Sequence, residues 1–469
     1  VGSEHGDTVA SQHTRDNKGS FSVPPSSVGA SADKSPGSIV GENNMHSSDS
    51  GDVTKSGVGE DNADQVGAAV AASSEEEHTN AKKADLVELF TLSCLPLTRG
   101  RNVSSMTWNR KHKDLLAVGY GDFKGACSDG MLLFWTLRNP ENPERMVTTP
   151  SGVLTVDFST KTPNLLAAGL FNGTVAIYNV PRMDSTSAVA DHDAPLLESS
   201  DAERHVEPVW EVKWVMGQDK NESLVSISTD GRVIQWFMKK GLTSHTLMEL
   251  RRIGTSDSVI SRQSSGLCVE FPPNVSDTYL TGTEDGTIHR CSTSYNEQYL
   301  ETYIGHSGPV NRIRCSPFRP NAFLSCSEDW TIRLWDLENI APRQEMRSVD
   351  LNCVVNDVAW STTNATIFGA VFGDGRVEIW DLSQSTLDPM ISEFADGSDN
   401  TDLFSFADNT NFQQELAPQT SILFSDDSPV VVTGDGAGVV RVYRLQGLEL
   451  RPKCTRAEQI ERLEKAIAR

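Results

Sequence analysis

From Asp85 onward the chain alternates apolar and polar residues in short runs broken by Gly, Asp, Asn and Pro, and this period of two predicts β-strands throughout. Seven tight turns recur: Asp129-Gly130, Asn172-Gly173, Asp230-Gly231, Asp285-Gly286, Asp329-Trp330, Asp374-Gly375 and Ala437-Gly438. Six place glycine second, as a turn with positive φ favours. Six residues beyond the first turn residue stand Trp135, Tyr178, Trp236, Cys291, Trp335, Trp380 and Tyr443, so six of seven strands end on an aromatic on the same face. Upstream of each turn a second strand begins at Val103, Val153, Val209, Gly266, Val310, Val355 or Gln419. Counting that residue as 0, position +3 is apolar in all seven and position +5 is apolar or cysteine. In units two and four to six, 14 residues separate position +5 from the turn, room for one middle strand.

Turn-to-turn intervals of 43, 58, 55, 44, 45 and 63 residues, with four short strands per unit, are the signature of an all-β, seven-bladed WD40-type β-propeller whose longer intervals hold surface insertions. The run Leu86 to Leu92 alternates and precedes the first unit. It is expected to complete the outer edge of the last blade and so remove an exposed sheet edge. Unit five is nearly a consensus copy, and its His306, Ser325 or Ser327, Asp329 and Trp335 are expected to form a structural hydrogen-bonded tetrad rather than a catalytic group. Position +1 of each inner strand should point to the top opening, where Leu154, Trp210 and Leu267 are apolar, with Phe171 and Trp330 reaching the same rim. The expected domains are a disordered acidic tail (1–84), the propeller (85–446) and an extension (447–469) with a short helix. That helix, Ala457 to Arg469, carries Ile460, Leu463 and Ile467 on one face.

Composition narrows the function. The chain has 469 residues and a formal net charge of −23, from 64 acidic and 41 basic side chains, which speaks against nucleic acid because phosphate backbones need a basic face. Residues 1–84 hold one aromatic, Phe21, in a Ser, Gly, Ala, Asp and Asn background that cannot offset the entropy of ordering. No run approaches the roughly 18 to 20 apolar residues of a membrane span and no signal peptide opens the chain, so a soluble intracellular protein without a membrane partner is expected. Opening on valine, the chain reads as the later part of a longer gene product. Eight cysteines include no CxxC pair and read as buried thiols. The Gly434 to Gly438 string joins two strands and opens no helix, so it is a turn and not a phosphate loop. No catalytic motif is present, and neither an enzyme nor a cofactor is expected.

Several strings resemble a known family beyond the generic repeat. They include Met106-Thr107-Trp108-Asn109, Leu116 to Gly121, Gly130 to Leu133 with Leu137-Arg138-Asn139-Pro140, Pro208 to Trp214, Ser228 to Arg232, Gly282 to His289 and Cys326 to Thr331. Over roughly residues 86–445 the chain is similar to the propeller of dynein intermediate chains, most of all the first intermediate chain of the axonemal outer arm. That resemblance implies a non-catalytic scaffold in the cytoplasm, the cytoskeleton and the axoneme of a cilium or flagellum. Its partners would be a dynein heavy-chain tail, a second intermediate chain, dynein light chains and, directly or indirectly, the doublet microtubule. The five rim residues would then grip an apolar stripe of a heavy-chain helix. Asp64-Gln65-Val66-Gly67 bears a faint likeness to a light-chain anchor. The other reading is a WD adaptor of a different complex, such as a ubiquitin-ligase substrate receptor.

Overall fold

Seven four-stranded antiparallel sheets succeed one another along the chain in a computed structural model that describes residues 84–121, 129–180, 194–217, 220–239, 241–253, 263–273, 275, 277–347, 353–395, 416–448 and 454–468. The expected disordered tail, its anchor-like Asp64 to Gly67, and Cys127 lie outside the described residues, as do 181–193, 254–262 and 396–415 in the three long intervals. The protein is a seven-bladed β-propeller. Its inner strands are Asn102–Trp108, Val153–Phe158, Val209–Met216, Gly266–Glu270, Val310–Cys315, Val355–Trp360 and Gln419–Phe424.

Ring closure follows the sequence expectation. Strand β1 (Asp85–Leu92) pairs antiparallel with Val440–Gln446, from Asp85 opposite Gln446 to Leu92 opposite Val440, and is the outermost strand of blade seven. A short helix, α1 (Leu95–Thr98), then leads into blade one. Thr420 of blade seven hydrogen-bonds the Val103 carbonyl of blade one, which joins the last inner strand to the first.

The 0, +3, +5 pattern has a local cause. In every inner strand the register slips between residues 0 and +2, for example Val103 opposite Tyr120 but Ser105 opposite Gly119. Each is a β-bulge, and the extra residue at +1 leaves the ladder. Alternation therefore resumes one residue late. Positions 0, +3 and +5 face the preceding blade, while +1, +2 and +4 lie along the channel wall toward the following one.

Blade-to-blade packing is close at position 0. A Cβ on Gly169 would stand 2.7 Å from Val209 Cγ1 of blade three, and one on Gly282 would stand 2.8 Å from Val310 Cγ1 of blade five. The pair is reversed between blades three and four, where Gly266 occupies position 0 and Ile227 stands where the other two carry glycine. Blade four also moves its bulk across one strand pair: Cys291 replaces the strand-ending aromatic, and Tyr279 fills the space directly opposite.

One expected turn is not formed. Gly130 begins a strand instead of turning with positive φ, because residues 122–129 separate Leu115–Gly121 from Gly130–Thr136 in a longer connection. The other five glycine turns have positive φ, and Trp330 adopts φ 68° in the place of glycine. Helix α2 (Arg456–Ile467) starts with a capping box in which Thr455 and Glu458 satisfy each other's backbone N–H groups. It lies against blades five and six, burying Leu463, Ala466 and Ile467 in a cluster with Phe318, Ala365 and Phe368. Ala365 N–H donates to Gln459 Oε1 at 3.1 Å, and Gln344 Nε2 donates to the Ala466 carbonyl at 3.0 Å. A helix this short is marginal alone, so these contacts hold it. No helix among the described residues is long and apolar enough to cross a membrane.

Candidate partner-binding mouth and its supports

Because the bulge expels position +1 from the ladder, seven side chains converge at one end of the channel. Ser104, Leu154, Trp210, Leu267, Asn311, Asn356 and Thr420 all line a mouth of about 830 Å³. Glu284, Glu328 and Gly436 from the strand-two to strand-three turns line it too, which identifies this end as the top. The apolar members are unequal: Leu154 is 1% exposed and belongs to the wall, whereas Trp210 and Leu267 are partly open. Phe171 and Trp330 are not among the mouth's lining residues. Phe171 is half-buried in its turn, and Trp330 is 40% exposed on the turn of blade five.

The polar members are already engaged. Asn311 Nδ2 donates to the Val355 carbonyl at 2.9 Å and Asn356 Nδ2 to the Gln419 carbonyl at 2.7 Å. Each thus ties its blade to position 0 of the next, as Thr420 does to Val103. Below the mouth, side chains at +2 bind the N–H at +3 of the following blade: Thr155 Oγ1 accepts from Val212 N at 3.2 Å and Glu211 Oε2 from Val269 N at 2.8 Å. These bonds satisfy inner-edge amides that no further strand can reach.

The channel wall carries a charged belt that the sequence analysis did not single out. Glu211, 2% exposed, meets Arg314 Nη1 at 2.8 Å, and Arg314 also lies 3.5 Å from Glu270 and 3.8 Å from Asp357. Burial pushes the Glu211 carboxyl upward, but Arg314, Arg312 and Lys213 outweigh it and hold the group below its ordinary range. Burial likewise works against the Arg314 charge, and Glu211, Asp357 and Glu270 more than restore it. Glu211 and Arg314 are 103 positions apart, so only the closed ring brings them together. The described cysteines are all free, and burial raises the thiols of Cys268, Cys291, Cys315 and Cys326.

The structure places the blade-five tetrad as follows. His306 Nδ1 lies 2.9 Å from Asp329 Oδ2 and His306 Nε2 lies 2.6 Å from Ser325 Oγ, which accepts from Trp335 Nε1 at 2.8 Å. Ser327 takes a different part, donating to the Gly308 carbonyl. Blade three holds a second tetrad that the sequence analysis missed: His205 with Asp230 at 3.0 Å and with Ser226 at 2.7 Å, and Trp236 Nε1 donating to Ser226 at 2.8 Å. The signal was available. Both histidines stand four residues before position 0, and both serines ten before the tryptophan.

Burial raises the Asp329 carboxyl, yet hydrogen bonds from His306 and Thr331 outweigh it and hold the group far below the usual aspartate range. The sign follows: this stabilisation is complete above about pH 4, the unfolded aspartate value, and drains away as pH falls toward the folded one. Asp329→Ala should lower stability at pH 7 by about 1–3 kcal/mol and shrink the loss seen on acidification below pH 4, both read by denaturant unfolding. An unchanged acid response in the variant would remove Asp329 from this role.

Comparison with known proteins agrees with this architecture. A family profile described as "WD domain, G-beta repeat" matches residues 297–336, the blade-five copy. The chain is 43% identical to dynein axonemal intermediate chain 4 of Rattus norvegicus, over 78% of this chain and 44% of that protein. It is 34% identical to the "Dynein, 78 kDa intermediate chain, flagellar outer arm" of Chlamydomonas reinhardtii, over 80% and 54%. It is 31% identical to dynein axonemal intermediate chain 1 of Bos taurus, over 78% and 51%. The chain spans about half the length of these relatives. With seven blades closed by β1 and similarity extending across the propeller, the chain belongs to the WD-repeat dynein intermediate chain family.

Proposed function

We propose that the chain is a non-catalytic intermediate-chain subunit of an axonemal dynein, of the outer arm, and that its propeller mouth grips the tail of the heavy chain. The observation that supports this reading is the mouth itself: Trp210 and Leu267 stand partly open in a cavity where Asn311, Asn356 and Thr420 are bonded to the next blade. Aromatic groups partly exposed without a core to fill are characteristic interface anchors. A helix entering with an apolar stripe would cover them in the helix-in-groove mode. Trp330 extends the surface along the top of blade five. Pairing with a second intermediate chain and with light chains, and placement of the arm on the doublet microtubule, complete the role that such a subunit plays in a cilium or flagellum. The names of the relatives favour this scaffold over an adaptor of a ubiquitin ligase.

Trp210→Ala with Leu267→Ala should weaken association with a heavy-chain tail by about 2 kcal/mol or more, with the melting temperature little changed. The measurement is binding of the purified full chain to a recombinant tail. Full binding by the folded double variant would move the interface to the sides or bottom of the ring.

A further inference from the structure

The arc of the top face formed by blades three to five has a one-sided charge. Its arginines are already bridged: Arg204 to Asp201 at 3.4 Å, Arg232 to Asp230 at 2.8 Å and Arg252 to Glu284 at 2.7 Å. Arg252 also reaches Asp285 at 3.3 Å. Arg312, deeper at the floor of the mouth, is taken by Glu211 and Asp357. Glu207 and Glu328 are among the carboxylates with no such counterpart among the described residues. Glu207 is exposed two residues before the blade-three inner strand, and Glu328 is exposed on the blade-five turn and lines the mouth. They stand on the blades either side of Leu267, with Trp210 on the same blade as Glu207. On blades five to seven, Asn311, Asn356 and Thr420 each hydrogen-bond a carbonyl of the next blade and so tie the ring together. What remains open to a partner is therefore apolar in the middle and acidic at the flanks.

We propose that the occupant of the mouth is a basic amphipathic helix, with lysine or arginine flanking its apolar stripe so as to meet Glu207 and Glu328. This rests on the reading that the mouth holds a heavy-chain tail helix, and it specifies the chemistry of that helix. The apolar stripe supplies the burial, and the flanking cations fix its direction and register. Exposed pairs of this kind contribute most to encounter and are screened as salt rises.

The test uses the full chain and a recombinant dynein heavy-chain tail as probe, with binding measured at low and at physiological ionic strength. Glu207→Lys with Glu328→Lys should weaken capture roughly tenfold or more at low salt, with the deficit shrinking as salt is raised. Glu207→Gln with Glu328→Gln should give a smaller loss with the same salt trend, and serves if the reversal impairs folding. If Trp210→Ala with Leu267→Ala abolishes capture while neither charge variant alters it at any salt, the mouth binds the tail but the basic helix is refuted. If neither set alters capture, the interface itself is misplaced. Tighter binding by the lysine variant would mean an acidic partner and would overturn the proposal.

Discussion

Deleting residues 85–93 is expected to abolish the stable monomer. β1 covers the strand Val440–Gln446 along its whole length, and its Leu86 and Leu92 are 7% and 0% exposed. Their burial alone stabilises the closed form by roughly 3–6 kcal/mol, before the lost ladder bonds are counted. The truncated chain would leave the last blade with an unpaired edge, a template for pairing with another copy. Light scattering should show oligomers or aggregates, and the thermal transition should drop sharply or broaden. A soluble monomer that melts where the full chain does would mean that β1 does not close the ring.

Gly266→Val should be strongly damaging at a blade seam. Its Cβ would meet Ile227 Cγ1 and Cδ1 at 2.6 Å and Leu250 Cδ1 at 2.8 Å, although valine is what blades one, two, three, five and six carry at the same position. Overpacking of this kind costs about 1–3 kcal/mol, and two branched side chains forced together place it at the upper end. Ile227→Ala alone should cost about 2–5 kcal/mol by leaving a cavity. Combining the two restores the arrangement of large against small found at Val209 and Gly169, so the double variant should be more stable than the summed penalties by about 0.5–3 kcal/mol. The measurement is a double-mutant cycle from denaturant unfolding. Strictly additive losses would show that the two residues do not share one space.

These two experiments probe different levels of information. Strand positions, the seven-fold repeat and the closing strand were legible in the chain because each depends on local pattern: alternation, a turn residue, an aromatic six positions on. The bulge left its trace in the 0, +3, +5 spacing, which is what one expelled residue does to a period of two, but the sequence analysis named no bulge. The same spacing marked the seven side chains of the mouth before any geometry was known. His306, Asp329 and Trp335 stood out because blade five keeps the full motif uninterrupted. His205 did not, because a long insertion precedes it and its blade departs from the consensus spacing.

What the tertiary structure decided are the contacts between units distant in sequence. Leu154 and Trp210 occupy equivalent positions, yet one is sealed and the other partly open, which depends on what the adjoining blades place around each. The Gly266 and Ile227 exchange, the Glu211 to Arg314 belt and the seat of α2 between blades five and six likewise depend on neighbours fixed by ring closure. The expected turn at Asp129-Gly130 gave way for a related reason. The dipeptide favours a turn, but Gly130 pairs with Thr149 of the outer strand and so stands in the ladder. The sequence by itself determined the blades, because a blade is a local alternation of side chains. Only the closed ring decided which residues face one another and which remain exposed to a partner, because burial is a property of surfaces brought together and not of the segments that carry them.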